Sequence, residues 1–170
     1  MEEPPPLREP LRLRPPRHRV SPRAVTWWTT QAMLLAAPVV IAPIIALALW
    51  PYPQAWLVGI AIAVAVLSVA YVLVMPRWRF RVHRWEATDD AVYTATGWLS
   101  QEWRVAPMSR IQTVDTERGP LQQLFGLSTV TVTTASAAGA LRLAGLDHTL
   151  AVDLVQQLTE TTQATPGDAT

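Results

Sequence analysis

The chain has 170 residues, a formal net charge of +1 and no cysteine. The missing thiols exclude disulfides, thiolate nucleophiles and cysteine-ligated metals. The near-neutral balance argues against the broad basic face of a nucleic-acid binder, and all 14 basic residues are arginine, a bias that fits a GC-rich bacterial genome.

Residues 1–23 are rich in proline and arginine and poor in apolar side chains. They predict a disordered basic tail. The next segment, Ala24 to Pro76, holds no charged side chain and no histidine. It is broken once, at WPYPQAW (Trp50–Trp56), which leaves the apolar stretches Val25–Trp50 and Ala55–Met75. Each is long enough to cross a hydrocarbon core of about 30 Å at about 1.5 Å per helical residue. The proline- and tryptophan-rich break suits a turn at a membrane surface. Residues 24–76 therefore read as a two-helix transmembrane hairpin. A soluble core helix seldom runs so far without a polar face, and a signal peptide has a shorter apolar region and no second span.

Six arginines precede the hairpin (Arg8, Arg12, Arg14, Arg17, Arg19, Arg23) and four follow it (Arg77, Arg79, Arg81, Arg84), with none in the turn. Positive charge stays on the cytoplasmic side, which predicts a multi-pass plasma-membrane protein with both termini cytoplasmic. Trp27, Trp28, Trp50, Trp56 and Trp78 fall where interfacial indoles are expected. Arg77, Arg79 and Arg81 would then emerge beside lipid headgroups as membrane-surface contacts.

Beyond Met75 the pattern changes to alternation. Trp78–Val82 reads as a half-buried strand leaving the bilayer. Thr88-Asp89-Asp90 is a turn, and strands follow at Ala91–Thr96, Trp98–Val105, Ile111–Glu117, Leu127–Thr134 and Ala140–Ala144. Gly119-Pro120 breaks the chain before a short helical turn around Leu121–Phe125. Asp147 can cap a final helix, with Leu150, Ala151, Leu154, Val155 and Leu158 as its apolar stripe, ending near Glu160. The predicted architecture is a membrane α-hairpin plus a mostly-β PH-like barrel over residues 77–160, closed by a C-terminal helix, with 161–170 a disordered tail.

The stretch RIQTVDTERGPLQQLFGLSTVTVTTA (Arg110–Ala135) resembles the bacterial PH-like domain of YdbS-like membrane proteins. The matching positions are Arg110, Ile111, Gln112, Val114, Gly119, Leu121, Phe125, Gly126, Leu127, Thr134 and Ala135. The preceding hairpin matches as well, so the resemblance covers about residues 20–160. It implies a membrane protein with a cytoplasmic PH-like domain and implies no reaction. Gln123 stands where the pattern has a basic residue.

No catalytic constellation is present. His18, His83 and His148 are scattered, no glycine-rich phosphate loop occurs, and Asp115 and Glu117 read as one polar strand face. Neither span carries an ionisable group, which argues against an ion path. The turn Thr88-Asp89-Asp90 is acidic where phosphoinositide-binding PH domains are basic. The expectation is a non-enzymatic module without cofactor, metal, nucleic acid or small-molecule substrate. It would scaffold or recruit protein at the inner face of the plasma membrane, with a protein partner or a homo-oligomer. An anionic-lipid headgroup reader or envelope-stress component is the alternative. Trp98 and Trp103 are the candidate partner contacts; five residues apart on one strand, they are expected on opposite faces, one core and one exposed.

Overall fold

A computed structural model describes residues 16–49, 52, 55–135 and 139–164. Residues 1–15 of the tail expected over 1–23, most of the turn with Trp50, and residues 165–170 lie outside this set.

Two long helices lie side by side: α1 (Arg23–Leu49) and α2 (Ala55–Val82). Pro38 and Pro43 sit inside α1 and Pro76 inside α2. A belt of exposed large apolar side chains runs from Met33 to Leu49 on α1 and from Trp56 to Val74 on α2. At about 1.5 Å per residue each belt is roughly 26–28 Å tall, which matches a bilayer core.

Below the belt the helices change role. Ala24, Trp27, Trp28 and Ala32 of α1, and Met75 and Pro76 of α2, are buried within the protein. Trp28 is fully enclosed. This corrects the interfacial reading of Trp27 and Trp28: both indoles belong to the interior of the domain. Trp56 and Trp78 remain exposed at the belt edges, as expected.

The strand expected at Trp78–Val82 is also corrected, because α2 continues through it. Extending a formed helix adds one bond per residue, whereas a short alternating run carries little preference of its own. The first strand after the hairpin is instead β2 (Arg84–Ala87). It pairs antiparallel with β1 (His18–Arg19), His18 opposite Trp85. Residues 16–23 therefore depart from the expected disordered tail. Pro16 and Val20 are buried, and Glu86 accepts a hydrogen bond from the Arg17 backbone N–H at 3.2 Å.

Strand β3 (Ala91–Thr96) and β4 (Glu102–Pro107) complete a four-stranded sheet in the order β1-β2-β3-β4. A second antiparallel sheet holds β5 (Ile111–Glu117), β6 (Leu127–Thr134) and β7 (Leu141–Asp147). The short helix α3 (Pro120–Leu124) connects β5 to β6. The two sheets do not close into a barrel, which corrects the predicted closure. They meet near β3 and β7, and Arg104 of β4 donates to the Ala140 carbonyl at 3.1 Å.

The core lies between the sheets, the base of α1 and the last helix, α4 (His148–Ala164). Val92, Leu127, Val130, Val132, Leu146 and Leu158 are fully buried in it. Ala151, Leu154 and Leu158 supply the inward face of α4, while Leu150 remains 41% exposed. Asp147 caps α4 as expected: its Oδ1 accepts from the Thr149 N–H at 3.2 Å and hydroxyl at 2.8 Å. Helix α4 runs to Ala164, past the expected end near Glu160.

Gly145 is where the first helix docks. It is the extra residue of a bulge in β7, lying between the pairs Ser128–Leu146 and Thr129–Ala144. Its φ of +83° is a left-handed conformation that glycine adopts without a side-chain penalty. Its carbonyl accepts the Ser21 N–H at 2.9 Å, and a Cβ placed there would come within 2.9 Å of the Ala24 Cβ. Arg23 adds an ion pair to Asp147 at 3.2 Å.

Candidate functional site

A cleft of about 790 Å³ lies between the base of the helical hairpin and the two sheets. Several separate parts of the chain build it. Helix α1 contributes Trp27 and Gln31, one turn apart on one face; α2 and the residue beyond it contribute Arg79 and His83; β5, the link after it, α3 and β7 contribute Glu117, Arg118, Gln122 and Arg142 in turn. Trp98 lies at its edge, on the loop between β3 and β4.

One wall is a stacked cation. The Arg79 guanidinium lies 4.6 Å from the Trp28 ring centre, and His83 packs on the same indole with ring centres 5.0 Å apart. His83 Nδ1 is 2.9 Å from the Arg79 carbonyl, which can only accept, so Nδ1 carries the proton and donates. Nε2 then accepts from Arg79 Nε at 3.4 Å. Both partners fit a neutral imidazole. Burial, and secondly the Arg79 charge, hold its pKa down at about 4.

The floor is fixed by Gln122. This buried side chain accepts the Gly119 N–H at 2.9 Å and donates to the Thr129 hydroxyl at 2.7 Å. Arg118 donates Nε to the Leu127 carbonyl at 3.2 Å, and Arg142 pairs with Glu117 at 2.7 Å on an exposed edge. Three arginines and one carboxylate line the cleft, so its formal charge is positive even with Arg142 paired to Glu117.

The β3–β4 loop sets the height of the cleft. Gly97, at φ +114°, closes a turn where any Cβ would collide with the Ser100 carbonyl. The turn lifts Trp98 onto Tyr71 of α2, edge to face with ring centres 5.9 Å apart, and leaves Leu99 83% exposed. Tyr71 lies eight residues before Arg79, about 12 Å higher along the helix. It sits inside the apolar belt that ends at Val74. The loop therefore reaches the level of the apolar belt, and Trp98 ties that level to the cleft it lines.

Of the residues expected at a site, Arg79, Trp98 and Gly119 line the cleft. Arg77 is exposed and folds back on the Leu73 carbonyl at 2.6 Å; Arg81 is exposed. The expectation that Trp98 and Trp103 divide between core and surface is corrected: both are exposed, because Trp98 precedes β4 and stands in the loop. Trp103 lies on β4, which among the described residues is an edge strand paired with β3. The 110–135 motif is mostly architectural. Ile111 and Leu127 are core, Val114, Leu121 and Phe125 pack against it, Gly119 precedes α3, Gly126 follows it, and Arg110 and Gln112 are exposed. Gln123 faces solvent, with Nε2 on the Arg118 carbonyl at 3.3 Å. Arg118, Gln122 and Arg142 were not singled out in the sequence: they come from separate elements, and only the fold brings them together. No group of three or more His, Cys, Asp or Glu that could hold a metal occurs among the described residues.

A family model described as the bacterial PH domain matches residues 30–162. The chain is 32% identical over 128 residues to the transmembrane protein YdbS of Bacillus subtilis (strain 168), covering 71% of this chain and 78% of that one. No solved structure matches the chain.

Proposed function

This chain belongs to the bacterial PH domain family of membrane proteins, and from that premise we propose that it is a non-enzymatic, membrane-anchored interaction module that assembles or recruits protein at the inner face of the plasma membrane. The observation that carries this reading is the edge of the first sheet. Among the described residues strand β4 has one strand partner, and Trp103 stands 45% exposed on it. An unpaired edge offers backbone donors and acceptors to another chain, and an exposed tryptophan is a frequent interface anchor. The ten flanking arginines support the inner-face orientation.

Chemical crosslinking in intact membranes, followed by recovery of the tagged full chain, tests this reading. Trp103→Ala is expected to leave the protein folded and to reduce recovery of the crosslinked species, with little response to added salt. Recovery that is unchanged by Trp103→Ala would refute it.

A further inference from the structure

The cleft at the hairpin base has chemistry of its own, separate from the β4 edge. Its lining is cationic but not simply exposed. Arg79 is held against Trp28 and His83, and Arg118 is anchored through Nε on the Leu127 carbonyl. The terminal nitrogens of Arg118 have no partner among the described residues. A guanidinium whose orientation is already fixed binds an anionic oxygen with less ordering cost, and its planar fork matches a phosphate. Gln122, committed to Gly119 and Thr129, keeps the floor open instead of filling it. His83 adds no charge, because its two ring nitrogens already serve Arg79.

Location selects the source of the anion. Gln31 at the rim is two residues from Met33, where the exposed apolar belt begins. Trp98, which also lines the cleft, rests on Tyr71 within the belt, and Leu99 beside it projects without cover. A molecule whose charged end occupied the cleft would have its other end directed at lipid. The volume of about 790 Å³ holds a glycerophosphate headgroup. We propose that this cleft binds the phosphate-bearing headgroup of an anionic lipid from the adjoining leaflet, with Arg79, Arg118 and Arg142 as its phosphate ligands and the Trp98–Leu99 loop as the wedge that opens toward the acyl chains.

The test uses the full chain in a neutral detergent, with thermal unfolding read against added lipid. Phosphatidylglycerol should raise the transition temperature, and phosphatidylcholine at the same concentration should leave it near the lipid-free value. In the variant Arg118→Gln/Arg142→Gln, the phosphatidylglycerol concentration giving half the shift should rise about tenfold or more. Arg77→Gln/Arg81→Gln removes two exposed arginines outside the cleft and should respond as the unaltered protein does. Should the Arg118/Arg142 variant fail to fold, Gln31→Glu places a negative charge on an exposed rim position and should weaken the same response. Equal shifts with both lipids, or a full response in the cleft variants, would overturn the proposal. A shift produced equally by free inorganic phosphate would assign a soluble anion and overturn the lipid source.

Discussion

Replacing Gly145 by alanine tests whether the base of α1 is part of the domain or only a tether to it. Two costs combine at this position. A non-glycine residue in the left-handed region loses about 1 kcal/mol. The added methyl also meets the Ala24 Cβ at 2.9 Å, with the Trp28 and Trp27 rings at 3.7 and 3.8 Å behind it. Ala24 and Trp28 are fully buried, so neither can yield to solvent. Overpacking of this kind costs a further ~2 kcal/mol, for a total near 3 kcal/mol. Gly139 supplies the control. Its φ is +79°, and a Cβ there meets nothing within 4 Å. Gly139→Ala should therefore show the conformational cost alone, about 1 kcal/mol. Thermal unfolding of the full chain, followed by near-ultraviolet circular dichroism, should place Gly145→Ala roughly 10 °C below Gly139→Ala, at about 4–8 °C per kcal/mol for a domain of this size. Equal transition temperatures would refute the docking of α1 on β7.

Leu154→Asp puts an unpaired charge at a position 3% exposed against the second sheet; it should cost several kcal/mol and abolish cooperative melting, and retained melting would contradict the packing of α4. Asp147→Ala removes the cap acceptor and should lower stability by about 1 kcal/mol in denaturant titration. The folded-state pKa of His83, about 4, lies below its ordinary value of 6.5, so between these values the unfolded chain binds more protons. Stability should be flat above about pH 7 and fall as pH drops from 6.5 to 4, by at most about 3 kcal/mol, and His83→Asn should flatten that slope.

The hairpin was legible because a long uncharged run flanked by arginines has few other uses, and β3, β5 and β6 were legible from alternation and β-branched residues. The continuation of α2 through Trp78–Val82 was not. Trp78, Arg79, Phe80, Arg81 and Val82 alternate, but five residues cannot outweigh a helix already propagating into them. The burial of Trp27 and Trp28 was hidden for a different reason. An indole at the end of an apolar span is the same letter whether it meets headgroups or a folded domain, and the sheet that covers these two lies more than fifty residues downstream. The pairing of β1 with β2 was not legible because a two-residue strand in an arginine-rich segment has no periodicity to read. Arg79 was visible as a basic residue at a membrane edge. Its role in a cleft was not, since Arg118 and Arg142 reach it through the register of β5, β6 and β7.

The proposed function requires the PH-like domain to be held at the inner face of the membrane. The chain has no cysteine, so single cysteines report cleanly on side. Tyr52→Cys marks the turn between the helices and Val152→Cys an exposed site on α4. With a membrane-impermeant maleimide on intact cells, Tyr52→Cys should label at once and Val152→Cys only after permeabilisation. Labelling of Val152→Cys in intact cells, with Tyr52→Cys protected, would place the domain on the outer face and refute the proposed orientation.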